Sequence, residues 1–565
     1  MRIAVVQSVI ENNLDQNRDK ILYFIPRAKA AGCEVVIFSE SSLYWSDISV
    51  DAPTKADIDA ATHQIGQMAK AEGIYVIFGS QNKSTDAGSY RNLGVVYDAD
   101  GNCLVSYVKN NEVPRAFLVN GVPFNLLVCS DRGYLEHSDL PCLAQGAQVI
   151  VDTSGGHGGD DGRPDLRWIR YRPWAVRTNA FVIVCNPPHE DTDFMGNSLW
   201  GGGSAIIRPD GTIQASLVHE KETMIIQEID LSLATRAEAE KRRSDPFLKP
   251  FWDMGKTLID GGSVPPIPDI TPYKSQEREI KIAAAQIACS PIMGDNIKKI
   301  KKVIQQAARQ GADVVVFPEL AVTGGREEDI ESADQTTLDA ALSQIKREAG
   351  AGGIYVIVGM PYFVDGSRKN CAFVIGDDGS IKTRYDQLNA TRTDLFQPGS
   401  SVKNMWFQIK GVHSIVTVGE DSKWVEIADL AANRGMYLHF HISYAADVSA
   451  DDRVLRKQQN LLMLTYARYG AVVNAAEPAS GMSMIVSREG GHNQPAPDGV
   501  EYYLPYQTSI VKSTGPGETI IYATRKTTAG NNMDLRSNWR VRNRRNRAQK
   551  GWYNWIKFGA QMIEK

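Results

Sequence analysis

One pattern of residues runs through this chain twice, and a duplication on that scale fixes the architecture before any single element is assigned. Ile3-Ala4-Val5-Val6-Gln7 returns as Ile282-Ala283-Ala284-Ala285-Gln286, 279 positions on. Val35-Val36-Ile37-Phe38-Ser39-Glu40 returns as Val314-Val315-Val316-Phe317-Pro318-Glu319 at the same offset of 279. Gly73-Ile74-Tyr75-Val76-Ile77-Phe78-Gly79 returns as Gly353-Ile354-Tyr355-Val356-Ile357-Val358-Gly359 at 280, and Asp100-Gly101 with Tyr107 as Asp378-Gly379 with Tyr385 at 278. Further on, Gly203-Ser204-Ala205-Ile206 is echoed by Met482-Ser483-Met484-Ile485, and Ala234-Thr235-Arg236 by Ala523-Thr524-Arg525. Matches in one order at nearly one offset mark a tandem duplication of a domain of about 260 residues. The boundaries this predicts are a first domain over 1–262, a Pro-rich linker over 263–279, a second domain over 280–524 and a basic, aromatic tail over 525–565. Proline fixes φ and discourages helix and central strand alike, hence a semi-extended linker.

Within each copy, short apolar runs such as 34–38 and 149–151 read as buried strands, and they alternate with helical stretches such as 17–31 and 57–71. Strands alternating with helices predict an α/β fold. Hydrophobic residues at 43% and charged residues at 23% exclude wholesale disorder and a disulfide mini-scaffold. The net charge of −4, from 62 basic and 66 acidic residues, is too balanced to make nucleic acid the default partner. Seven cysteines (33, 103, 129, 142, 185, 289 and 371), an odd number with no C-x-x-C pair, point to a reducing compartment. No run approaches the roughly 18 apolar residues of a membrane span. The N-terminus reads as a strand rather than a signal peptide. The expectation is a cytoplasmic protein that neither enters a membrane nor binds nucleic acid.

Three positions of the first copy carry chemistry. Glu40 ends the strand Phe38-Ser39-Glu40, Lys109 stands in Tyr107-Val108-Lys109, and Cys129 follows Leu126-Leu127-Val128, with Glu136 seven residues later. Supporting positions are Trp168, the stretch from Ala175 to Asn179, and Gly203-Ser204 with Ile206, Pro209 and Gly211. With them, the ordered Glu–Lys–Cys set resembles the nitrilase (carbon–nitrogen hydrolase) superfamily over both repeats. The resemblance implies two tandem α-β-β-α sandwich domains paired as an internal pseudo-dimer, with further homo-oligomers in some members. It implies an amidohydrolase acting on a small-molecule linear amide or carbamoyl group through a thioester, with no metal and no organic cofactor. Glu40 resembles the general base, Lys109 the group that stabilises charge on the carbonyl oxygen, and Cys129 the nucleophile. The backbone N–H of Ser130 is the natural second oxyanion donor. These residue types suit the task, since a thiol attacks only when a base and a cation help remove its proton. Cys33, Cys103, Cys142 and Cys185 read instead as small buried hydrophobes.

The second copy is an internal control. Glu319 survives, but Gln387 stands where Lys109 does and Gly419 where Cys129 does. Without nucleophile or charge, this copy is expected to be catalytically dead. The segment from Lys109 to Cys129 is twelve residues shorter than that from Gln387 to Gly419. In the family it helps wall the pocket and usually carries a second glutamate in amidases. Glu112 is the acid left there, either lining the site or a plain surface carboxylate. Cys129-Ser130-Asp131 resembles amidases and carbamoylases more than true nitrilases. Arg132 reads either as a clamp for a substrate carboxylate or as a surface partner of Asp131 or Glu136. His157, in the Gly-rich loop over 154–162, reads as a substrate contact or a solvated residue; the loop lacks metal-ligand spacing. The tail holds eleven Lys/Arg against two acids, which fits a packed structural tail, or else nucleic acid or an anionic surface. Two rival functions keep the same residues: transfer of the acyl group to an acceptor other than water, and a non-catalytic scaffold.

Overall fold

The computed structural model describes residues 1–46, 51–85, 87–155, 165–188, 201–218, 220–445, 450–476, 483–487, 509–529 and 550–564. The chain forms two compact units whose main division falls between Val264 and Pro265, at the start of the Pro-rich stretch.

In the first unit two six-stranded sheets account for every described strand. One runs in the order Thr223–Glu228, Arg2–Gln7, Val35–Ile37, Tyr75–Lys83, Tyr90–Tyr97, Cys103–Val108, and its three strands from Arg2–Gln7 to Tyr75–Lys83 are parallel. The other runs Ile213–Ser216, Ala205–Ile207, Phe181–Cys185, Val149–Thr153, Val122–Val128, Phe117–Val119, again with three parallel strands in the middle. Period-two alternation explains the layering. Ile3 and Val5 pack with Leu126, Val128, Val151 and Ile183 in a core between the two sheets. Ala4 and Val6, on the opposite face, pack with Ile21, Ile25, Ile58 and Ile65 of the helices Leu14–Ala30 and Lys55–Glu72. Strands buried on both faces must be apolar throughout, hence the uninterrupted runs in the sequence. The expected α-β-β-α sandwich is what forms.

The second unit repeats the same two sheet orders, from Glu279–Gln286 through Ser509–Ser513 and Thr519–Lys526. Details recur with it. Thr54 and Asp334 cap the helices that begin at Lys55 and Gln335, and the repeated Gly73 and Gly353 end them in the left-handed region at φ +61° and +57°. The strand Thr519–Lys526 includes Arg525 and Lys526, so it runs two residues into the expected tail. The helix Lys550–Met562 buries Trp555, Ile556 and Ala560, and Lys557 Nζ donates to Ile267 O at 2.6 Å. That described part of the tail is a packed structural element. The arginines of 536–547 lie outside the described residues. Among the described residues no helix is long and apolar enough to cross a membrane.

Candidate active site

In an open α/β sheet, functional groups gather where parallel strands end. Glu40 follows the strand Val35–Ile37 of one sheet, and Cys129 follows Val122–Val128 of the facing sheet. Lys109 leaves the end of Cys103–Val108. Lys109 Nζ lies 2.5 Å from Glu40 Oε1, with Glu40 1% exposed and the lysine side chain 15% exposed. Asn92 Nδ2 donates to the same oxygen at 2.7 Å, and the Gly155 N–H donates to Glu40 Oε2 at 2.7 Å. Burial by itself would lower the Lys109 ammonium. The Glu40 carboxylate outweighs it by its charge and its hydrogen bond and holds the group above its ordinary value, and Cys129 adds to that hold once it is ionised. Glu40, Lys109 and Cys129 are thus one electrostatic cluster.

Cys129 opens a short 3₁₀ turn, Cys129–Gly133, at φ +51°. That left-handed conformation costs a non-glycine residue about 1–3 kcal/mol, and the surroundings hold it there. The Cys129 N–H donates to Asp152 Oδ1 at 2.9 Å, and Arg132 Nη1 donates to Cys129 O at 2.7 Å. Ser130 is half-buried, its hydroxyl 3.4 Å from Asn110 Oδ1. Asp131 is fully buried and accepts the Asn110 N–H at 3.1 Å, which ties the loop after Lys109 to the nucleophile's turn.

The other sequence candidates fall as follows. Arg132 pairs with Asp152 Oδ2 at 3.1 Å, a partner different from both of those expected of it. The Glu112 carboxylate accepts the Val108 N–H at 2.9 Å, and its backbone oxygen contacts His137 Nε2 at 2.8 Å, so it braces its own loop. His157 lies outside the described residues. Cys33, Cys142 and Cys185 are buried as expected, but Cys103 is exposed, because its edge-strand position turns it to solvent. No cluster of three or more metal-ligating side chains occurs among the described residues.

Two residues that carry no motif of their own shape the site. A Cβ on Gly79 would lie 2.3 Å from Ser41 N and 2.7 Å from Glu40 Cα, and one on Gly359 would lie 2.5 Å from Glu319 Cα. In both copies only glycine leaves room for the backbone that carries the glutamate. Asn92 has its counterpart in Asn370, whose Nδ2 donates to Glu319 Oε1 at 2.6 Å. The repeat offset is the signal that could have found both.

The second unit preserves this frame without its chemistry. Asn370 bridges Glu319 to Gln387, with Nδ2 to Gln387 Oε1 at 3.0 Å, and the Tyr444 N–H donates to Glu319 Oε2 at 2.8 Å. Gly419 takes φ +51°, as Cys129 does. A Cβ there would lie 2.7 Å from Glu319 Oε1 and 2.8 Å from Gln387 Nε2, so the neighbours have closed over the missing side chain. Burial pushes the Glu319 carboxyl up to about 7; its hydrogen bonds from Asn370 and Tyr444 only partly oppose this. The folded state therefore binds that proton more tightly than the unfolded one. The contribution is fully present below the ordinary glutamate range and is lost as pH rises through about 7. Glu319→Gln turns an amide NH2 towards one of the two N–H donors on Glu319, a cost that does not change with pH. Against that constant offset the variant should gain a few kcal/mol at most on the wild type between pH 4 and pH 8, since each tenfold difference in proton affinity between the folded and unfolded chain is worth roughly 1.4 kcal/mol. Unfolding temperatures of both proteins at the two pH values check this.

Against known proteins, the family model described as carbon-nitrogen hydrolase matches residues 2–239 and again 281–464. A Xenopus laevis protein described as omega-amidase NIT2-B is 28% identical over 175 residues, 28% of this chain and 62% of that protein. The alignment therefore spans somewhat under two thirds of that relative's length. The omega-amidase NIT2 of Mus musculus is 23% identical over 275 residues, covering 44% of this chain and 94% of the relative. Among solved structures, an amidase from Nesterenkonia sp. aligns at 21% identity with a TM-score of 0.36, over 43% of this chain and 95% of that one. The family model fits each half in turn, and the chain belongs to the carbon–nitrogen hydrolase (nitrilase) superfamily as a tandem duplication.

Proposed function

We propose that the first unit hydrolyses a linear amide or carbamoyl C–N bond through a thioester on Cys129, and that the second unit is catalytically silent. One observation carries this reading: Lys109 is clasped to buried Glu40 in a cluster with Cys129, whereas Glu319, Gln387 and Gly419 have closed on themselves.

A carboxylate has about four lone-pair sites, and Glu40 uses three of them on Lys109, Asn92 and Gly155. The remaining one takes the Cys129 proton. Sγ attacks the carbonyl carbon, and the carbonyl electron pair moves onto oxygen, where Lys109 and the Ser130 N–H stabilise it. Collapse of the tetrahedral species breaks the C–N bond, and the proton held by Glu40 leaves on ammonia or an amine. Water, deprotonated by the same carboxylate, then attacks the thioester carbon; the thiolate departs and regains its proton. Every step uses groups of the protein, so neither a metal nor an organic cofactor enters the scheme.

The test is ammonia release across matched small amides, ureas, carbamoyl amino acids and nitriles, with product analysis in the presence and absence of added amines. Amides or carbamoyl compounds are expected to be turned over and nitriles poorly. A nitrile outperforming its matching amide would overturn the amidase assignment, and an amine adduct in place of the free acid would make the enzyme a transferase.

A further inference from the structure

We propose that Asp152, with Arg132 and Tyr171, is a positioning clamp that keeps the backbone of Cys129 left-handed, so that its thiol stays in the cluster with Lys109 and Glu40. The proposal rests on Cys129 being the nucleophile. Asp152 follows three apolar residues in the strand Val149–Thr153 and is fully buried. A buried carboxylate has to be matched by donors, and here two of them belong to the nucleophile's own turn. Oδ1 of Asp152 accepts the Cys129 N–H at 2.9 Å; Oδ2 accepts Arg132 Nη1 at 3.1 Å and the Tyr171 hydroxyl at 2.7 Å. The same Arg132 nitrogen reaches Cys129 O at 2.7 Å. Both backbone polar groups of the one cysteine are therefore held by a single ion pair.

The duplicated half shows what happens when the need disappears. Strand register sets Asp152 opposite Leu127, and sets His441 opposite Thr417 at the same place in the second unit. Counting on from Gly419 as from Cys129 puts Ser422 where Arg132 stands. His441 Nδ1 is engaged with Thr417 Oγ1 at 2.8 Å. Gly419 has the same φ of +51° as Cys129. Glycine adopts that conformation freely, and where glycine stands the charged pair has gone. Where a cysteine must be held there, the pair is present.

The experiment measures carboxamidomethylation of each cysteine by iodoacetamide, resolved by mass spectrometry, together with kcat and KM on the best amide found in the panel. In Asp152→Ala, Cys129 labelling and kcat are each expected to fall about 10- to 100-fold, the scale of a small misplacement of a reacting group. KM should hold within about two-fold, and exposed Cys103 should keep its wild-type rate. Asp152→Asn keeps an acceptor for the Cys129 N–H but loses the charge that holds Arg132. It should recover part of the loss while still labelling about three- to ten-fold below wild type. Arg132→Ala added to Asp152→Ala should cost little more than the worse single change, because the two act as one unit. Labelling of buried Cys142 and Cys185 would report that Asp152→Ala does not fold, and Asp152→Asn then decides. A wild-type Cys129 labelling rate in a folded variant overturns the clamp, as does an Arg132→Ala that raises KM with kcat intact. Ammonia release that survives complete labelling of Cys129 would instead overturn the nucleophile, and the labelling rates would still report on the clamp.

Discussion

Cys129→Ala is expected to abolish turnover, lowering the rate on the order of 10⁴–10⁶-fold, the usual consequence of losing a covalent nucleophile. Alanine keeps a Cβ and faces the same left-handed backbone, so the turn at φ +51° and its contacts with Asp152 and Arg132 have no reason to reorganise. What is lost is sulfur alone. The small residue of activity left would come from Lys109 and the Ser130 N–H polarising the bound carbonyl for direct attack by water. Labelling makes the same point from the other side. Cys33, Cys142, Cys185 and Cys371 are buried, and burial pushes the Cys142 thiol up to about 12. Of the seven, only Cys103, Cys129 and Cys289 are not buried. Iodoacetamide should modify Cys129 first, and inactivation should track that modification one for one. Ammonia release by purified Cys129→Ala within ten-fold of wild type would remove Cys129 from the mechanism.

Much of this was legible in the residues because the chain carries its own alignment. Two copies at nearly constant offset exposed the strands, the paired positions of Gly73 and Gly353, and the substitutions at Lys109 and Cys129. Positions that need a partner from another strand were harder to see. Asp152 reads as the end of an apolar run, and nothing local says that its carboxylate will meet the N–H of Cys129. Arg132 has its partner twenty positions away on a neighbouring strand, beyond the reach of any local pattern. Gly79 was visible only as a repeated letter, since its function is the space that it leaves for Glu40. Pro26 sits inside the helix Leu14–Ala30, as the helical reading of 17–31 requires; the apolar face of Ile21, Phe24, Ile25 and Ala28 packed on the sheet carries the helix through it. Cys103 departs from the usual burial of cysteine by its place on an edge strand, which only the sheet order reveals.

Lys109→Gln writes the second copy's residue into the first, and its expected cost follows from what the second copy has become. Glutamine can still donate to a carbonyl oxygen, so part of the oxyanion contact survives. The charge does not, and the loss of one such group typically costs about 10²–10³ in kcat, or roughly 3–4 kcal/mol. A second penalty adds to the first. Glu40 is 1% exposed and now has Lys109 at 2.5 Å. Glu319, in the corresponding setting with Asn370 and Gln387 but no lysine, has its carboxyl pushed up to about 7 by burial. A carboxyl that already carries a proton cannot take one from a thiol, so the residual activity of Lys109→Gln should climb with pH more steeply than that of the wild type. KM for a neutral amide should change little, because the lost interaction belongs to the developing oxyanion rather than to the bound substrate. Rate profiles of the variant and the wild type between about pH 5 and 9 measure both effects. A Lys109→Gln enzyme that keeps wild-type kcat with a raised KM would show that Lys109 binds substrate in its ground state and would remove it from charge stabilisation.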